Sequence, residues 1–299
     1  PKSVDVFAFI EREGANHAVR TLCRVLGVST SGYYAWRARK PSARAQEDAV
    51  LQQLIIQIHQ DSRGTYGAPR IQAELALQYG VRCSRKRVAR LMREVNIVGI
   101  YRRRPHGCTR RDPEREPYPD LVQRNFTADA PNQVWVADLT QHRTAEGWVY
   151  LAVVLDLFSR MVVGWAMGDR ATAELVVEAV NLAVWRRKPK TPVIHHSDHG
   201  SQYTSLLFTS RLQEAGIQGS MGSVGDALDN AVAESFYATL QTELLDRQSW
   251  PTRESLRLAI FEYIEVFYNR CRRHSALGYL SPMEFEARAQ EDARASETA

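Results

Sequence analysis

Residues 133–168, "QVWVADLTQHRTAEGWVYLAVVLDLFSRMVVGWAMG", are dense in Val, Leu and Trp and carry no helix-like apolar stripe. Runs of this kind are strands covered on both faces, so the stretch predicts one buried strand followed by a hairpin of two more. A helix follows in "TAELVVEAVNLAVWRRK", then a short apolar strand "PVIHHSD", a helix near "LLFTSRLQEAG", a short segment "IQGSMGS" and a helix starting near Asn230. Strands first, then alternating strand and helix, predict an α/β domain over residues 132–250, a mixed sheet flanked by helices.

The remainder of the 299-residue chain reads differently. Residues 17–40 show Val19, Leu22, Cys23 and Leu26 at helical spacing, a stop at Gly27 and hydroxyl caps in "VSTSG". That is the pattern of a helix-turn-helix, and it defines a first segment, 1–45. A second helical domain, 46–105, contains "GAPRIQAELALQYG" and then "RKRVARLMREV", which Ser84 can cap. In the latter Val88, Leu91, Met92 and Val95 form the apolar stripe, leaving Arg85, Lys86, Arg87, Arg90 and Arg93 largely on other faces. Residues 106–131 read as a Pro- and charge-rich linker. A C-terminal helical extension, 251–288, places Leu256, Ile260, Tyr263, Ile264 and Phe267 on one face. It ends in "SPME", where Ser281 and Glu284 predict a capping box around Pro282. Residues 289–299 read as disordered.

Charge divides the chain. Residues 1–125 hold 23 basic against 12 acidic side chains, whereas residues 126–299 hold 16 against 22. Residues 82–111 alone carry 11 basic groups and one acid, Glu94. Such a concentration points to a polyanion, most simply nucleic acid. Cys23, Cys83, Cys108 and Cys271 are scattered singly, which predicts reduced thiols rather than a disulfide framework or zinc knuckle. No segment is apolar enough to span a bilayer and the first residues lack a signal-peptide pattern, so a cytoplasmic protein without a membrane partner is expected.

The stretch "HHSDHGSQYTS", residues 195–205, offers several chemistries. Strand alternation sends His196 and Asp198 to one side and His195 and Ser197 to the other, so the histidines do not converge on one metal. A serine nucleophile lacks its G-x-S-x-G elbow. A carboxylate at the end of a buried strand, by contrast, is costly unless a cation or another partner meets it. Asp138, in "VWVADLT", shares this setting with Asp198. Glu234, on a predicted helix with Asn230, Ala238 and Gln241 on its face, supplies a third carboxylate. Three hard oxygen donors suit Mg2+ or Mn2+, and two such ions roughly 4 Å apart can drive in-line phosphoryl displacement. Asp156 competes for the first position but sits at a predicted hairpin turn, and Asp226 and Asp229 read as loop or capping residues. Glu243, half a turn out of phase with Glu234, reads as a surface charge.

These motifs, with "GSVGDALDNAVAESFYATLQTELL" and the closing "YNRCRRHSALGYLSPMEFE", resemble the retroviral-integrase-like transposases of bacterial insertion sequences, specifically the downstream (orfB) product of the insertion-sequence-three family. The family's triad is Asp, Asp, then Glu after 35 residues, a spacing that Asp138, Asp198 and Glu234 match. The resemblance implies a ribonuclease-H-like catalytic core with a helical N-terminal DNA-binding region and a helical C-terminal extension. It also implies two divalent ions, cleavage at terminal inverted repeats and joining of the freed 3'-hydroxyl to target DNA. It further implies an assembly of at least two copies and a possible orfA partner or fusion, although no leucine zipper is visible. One departure is Gln241, where many of these enzymes carry Lys or Arg. Expected DNA contacts are therefore Arg85, Lys86, Arg87, Arg90, Arg102, Arg103, Arg104, Asn230 and Gln241, together with Arg270, Arg272, Arg273 and His274. A DNA-binding repressor with an inactive core and a structure-dependent nuclease of the same fold are the competing classes.

Overall fold

The structure is a computed structural model that describes residues 3–100, 128–221 and 231–297. Two compact units divide after Ile56. In the first, helices α1 (Ser3–Glu13), α2 (Val19–Val25) and α3 (Thr30–Ala38) close around Ile10, Cys23 and Tyr33. The α2–α3 turn depends on Gly27, whose φ of +68° disfavours a side chain. Ser29 then caps α3 by accepting from the Gly32 amide at 3.0 Å. Helix α1, unanticipated from the sequence, covers the apolar side of this pair through Phe7, which meets Tyr33 and Trp36. Helix α4 spans Ala43–Asp61.

The second unit contains a five-stranded sheet of order β3-β2-β1-β4-β5. Its strands are β1 (Val134–Thr144), β2 (Gly147–Asp156), β3 (Val162–Gly168), β4 (Ile194–Ser197) and β5 (Gln218–Met221). The first three run antiparallel, while β4 and β5 run parallel to β1. Helix α7 (Ala173–Arg187) packs on one face, and α8 (Leu206–Glu214) continues that layer. The close approach of α7 to β3 requires Gly164, where a Cβ would sit 2.1 Å from the Ala179 carbonyl oxygen. Trp135, Ala137, Ala152 and Val154 point into this layer with Val176, Val180, Phe208 and Leu212. The long apolar runs thus become the middle strands of a sheet covered on both sides.

Helix α9 (Ala231–Glu243) packs against β1, and α10 (Arg253–Glu262) leads into a wider π-helical turn, Tyr263–Tyr268. Beyond it Asn269 exchanges two hydrogen bonds with Val162, accepting from its amide at 2.9 Å and donating to its carbonyl at 3.0 Å. A side-chain amide therefore satisfies backbone groups on edge strand β3. The predicted capping box opens α11 (Pro282–Glu297): the Ser281 amide donates to Glu284 at 2.8 Å, and the Glu284 amide donates to the Ser281 hydroxyl at 3.3 Å. Residues 289–297 continue that helix instead of lacking order, which suits a run rich in Glu, Arg and Ala.

Helices α5 (Ala68–Leu77) and α6 (Arg85–Glu94) fall in the same compact unit as the sheet. The reason is a set of long-range bonds. The Tyr66 hydroxyl donates to the Cys271 carbonyl at 3.2 Å and accepts from the Arg273 amide at 2.7 Å. Arg70 and Glu74, both on α5, pair with Glu243 and Arg273. Cys23, Cys83 and Cys271 are free thiols, and Cys108 lies outside the described residues. Among the described residues no helix is long and apolar enough to cross a membrane.

Candidate active site

Parallel pairing of β1 with β4 builds the base of the site. The register sets Val136 opposite His196, so Asp138 follows two residues later on β1 and Asp198 follows two residues later, just past the end of β4. Helix α9 brings Glu234 to the same neighbourhood. It is pinned there by Tyr237, one turn on, whose hydroxyl lies 2.7 Å from the Asp138 carbonyl and 3.1 Å from that of Leu151. Sequence reading missed Tyr237, although its position three residues after Glu234 puts it on an adjoining strip of the helix.

The electrostatics of the three carboxylates are unequal. The Asp138 carboxyl is pushed up to about 7, first by burial, then by the negative charge of Asp198, with a smaller push from Glu234. Only the Leu139 amide, donating to Oδ1 at 2.7 Å, opposes the rise. Asp198 receives the Gly200 amide at 3.0 Å, and a Cβ at Gly200 would press on that same oxygen. Tyr203 is buried and Tyr237 half-buried near this charge, and their hydroxyls are held well above the ordinary tyrosine range, first by burial and then by Asp138.

By donor chemistry, the set fits a hard divalent cation. The three are all oxygen donors, and the charged groups that shift Asp138 are acidic rather than basic. Among the described residues no three His, Cys, Asp or Glu side chains converge tightly enough to enclose an ion. The three therefore share an electrostatic neighbourhood without a common coordination sphere. The histidines play other parts. His195 is buried edge-on against Phe208 at 5.2 Å, with burial lowering it to about 4, and the His196 Nδ1 lies 2.9 Å from the Ser220 hydroxyl. Asp156 holds the β2–β3 turn, accepting from the amides of Phe158 and Asn132 at 3.0 and 2.7 Å.

The residues predicted to contact DNA separate into distinct groups. On α6, Ser84 caps the helix, Val88, Leu91 and Met92 are buried, and Arg85 and Lys86 are exposed. Arg87 and Arg90 are half-buried, Arg90 pairing with Glu94 at 2.6 Å. Arg102, Arg103, Arg104 and Asn230 lie outside the described residues, as do Asp226 and Asp229. Gln241 is half-buried and donates to the Asp246 carboxylate. Arg270 is exposed.

Arg272 and Arg273 correct the expectation of DNA contacts, because both are buried and already paired. Arg272 grips Glu243 with two bonds of 2.8 Å, and Arg273 is shared between Glu74 and Glu284. His274 packs edge-on to Tyr268 at 4.9 Å, and burial followed by the charge of Arg272 lowers it to about 2, so it offers no cation to a phosphate. Glu243 is likewise not a surface charge: it is 5 % exposed.

The family profile described as Integrase core domain matches residues 128–227, a second Integrase core domain profile matches 215–282, and an HTH-like domain profile matches 45–105. The chain is 42% identical over 264 residues to the insertion element IS600 uncharacterized 31 kDa protein of Shigella sonnei, covering 88% of this chain and 97% of that one. It is 39% identical over 282 residues to transposase InsF for insertion sequence IS3A of Escherichia coli (strain K12), covering 94% of this chain and 98% of the relative. Among solved structures, the HTLV-2 integrase catalytic core domain in complex with magnesium aligns with a TM-score of 0.39 at 19% identity, covering 54% of this chain and 98% of that chain.

Proposed function

This chain belongs to the family of insertion-sequence transposases with an integrase core, and from that premise we propose that Asp138, Asp198 and Glu234 are the catalytic, metal-holding carboxylates of a DDE-type polynucleotidyl transferase. One observation carries the assignment: Asp198 and Glu234 both raise the carboxyl of Asp138, so three acids from β1, the end of β4 and α9 share one electrostatic neighbourhood where acidic charge is left uncompensated. When bound, Mg2+ or Mn2+, two ions per site, supplies activation of a water or 3'-hydroxyl and neutralisation of the leaving oxygen. Asp138 releases its proton to become a ligand, Asp198 is oriented by the Gly200 amide, and Tyr237 holds α9 so that Glu234 faces the aspartates.

DNA enters this reading through charge. Arg85 and Lys86, with Arg87 and Arg90, present α6 to the terminal inverted repeats, and Arg102, Arg103 and Arg104 continue the basic run. Arg270, which is exposed, and Gln241 are read as further phosphate contacts. Two element ends have to be held together with a target, so the working form is at least a dimer acting in the bacterial cytoplasm, with an orfA product or fusion as its partner.

The test is incubation of the purified protein with labelled duplexes carrying the element's own ends and Mg2+, beside Asp138→Asn and Asp198→Asn. Wild type is expected to nick and to join strands, and both variants are expected to bind the ends without doing either. Strand transfer that persists in either variant would sink the triad. Cleavage without joined products would support the nuclease reading, and binding without cleavage, even with orfA supplied, the repressor reading.

A further inference from the structure

Helix α9 has two acidic faces. Nine residues separate Glu234 from Glu243, which is two and a half turns, so the two side chains leave the helix about 180° apart and about 13 Å along it. Glu234 is exposed, whereas Glu243 is buried and accepts from three partners elsewhere in the chain. Arg272 donates through two nitrogens at 2.8 Å, the Tyr263 hydroxyl donates at 2.9 Å and Arg70 donates at 3.2 Å. Burial alone would raise Glu243, but the hydrogen bonds and charge of Arg272, then the charge of Arg70, hold it below the ordinary range. A bidentate guanidinium fixes direction as well as distance, so this carboxylate cannot rotate with the helix while keeping its bonds.

The three partners come from functionally different places. Arg70 lies on α5, which packs against the basic helix α6. Tyr263 opens the π-helical turn, and Arg272 belongs to the closing motif. Next to it, Arg273 ties Glu74 of the same α5 to Glu284 of the α11 capping box.

We propose that Glu243, gripped by Arg272 and Arg70, is a positioning residue that sets the rotation of α9 and thereby aims Glu234 at the aspartates, linking the helices that meet DNA to the metal site. This inference rests on the assignment of Glu234 above. It differs from a purely stabilising role in what it predicts: loosening the grip should weaken metal binding in molecules that are still folded.

The experiment measures Mn2+ affinity by calorimetry, and the Mg2+ concentration giving half-maximal end cleavage, for wild type, Glu243→Gln and Arg70→Gln, with Asp138→Asn marking loss of the site. Glu243→Gln is expected to raise both constants by tenfold or more and to lower the cleavage rate by up to about a hundredfold, as misplacement of a catalytic group by about 1 Å does. End-DNA affinity should not change. Arg70→Gln, at a more exposed partner that leaves the Arg272 pair intact, should shift the same constants by a smaller factor. Unchanged Mn2+ affinity and half-activating Mg2+ in both variants, or a rate loss that merely tracks the unfolded fraction, would overturn the proposal. Should wild type bind Mn2+ without cutting its ends even with orfA supplied, the transposase activity fails, while the Mn2+ affinities still decide whether Glu243 positions the metal-holding Glu234. Absence of Mn2+ binding in wild type removes both.

Discussion

Asp138 and Glu243 are both carboxylates packed against the body of the second unit, and their surroundings are opposite. Glu243 meets two guanidinium groups and a phenol, and its charge is stabilised despite burial. Asp138 meets one amide and two more acids, and its charge is destabilised. A fold gains nothing for itself by crowding acids without a counter-charge, whereas it gains a fixed geometry from a carboxylate bound by bidentate arginine. The contrast separates charge held in readiness for something outside the chain from charge used to hold the chain together.

The comparison can be broken or sharpened in four ways. The largest effect is expected from Asp138→Asn, which should lower strand cleavage by about 10³-fold or more, because several kcal/mol of metal-derived stabilisation disappear. The same substitution should raise the melting temperature of the metal-free protein at pH 8, since it removes an uncompensated charge; a lower melting temperature there would contradict the electrostatic account. Next comes Arg273→Ala, which leaves Glu74 and Glu284 without their shared cation and should cost about 3–5 kcal/mol in a urea titration. Arg270→Ala, at an exposed position of the same motif, should stay within about 0.5 kcal/mol.

The third effect concerns pH. The Asp138 carboxyl rises from 3.8 in the ordinary state to about 7 in the fold, so its contribution to stability is complete below about pH 4 and is lost as pH climbs through 7. Metal-free wild type should therefore melt higher at pH 6 than at pH 8 by more than Asp138→Asn does. Mg2+ binding should strengthen with rising pH over the same window and release protons, measurable by calorimetry in buffers of different ionisation heat. The smallest effect is expected from Gln241→Lys. One added phosphate contact should steepen the salt dependence of end binding by about 0.9 in log–log slope and leave the stability of the fold nearly unchanged.

Local chemistry made much of this molecule legible from sequence. Ser281, Pro282 and Glu284 announce their helix because the capping box is complete within four residues, and Ser84 and Gly27 act over similarly short spans. The strands of residues 134–168 were readable because both faces are apolar, and the aspartates stood out as interruptions of that pattern. Glu243, Arg272 and Arg273 were not readable. Their partners are 29 and 199 residues away, and nothing local distinguishes a buried arginine from one awaiting a phosphate. Helix α11 outran its expected end because a polar sequence can be helical as readily as unstructured when its residues favour the helix. Tyr237 escaped notice since its role depends on which strand α9 crosses, a tertiary fact.

The pairing of β1 with β4 also determines what kinds of change in length a lineage of this protein can survive. Residues inserted at the Ala145–Glu146 turn or beyond Arg187 only lengthen the path between the two aspartates, so the spacing of 60 positions is free to drift. Deleting a single residue between Trp135 and Asp138 is a different event: side chains alternate with a period of two, so the carboxylate would swing into the α7 layer and leave Asp198 without its neighbour. Indels should thus accumulate in the connections and be purged from the strand.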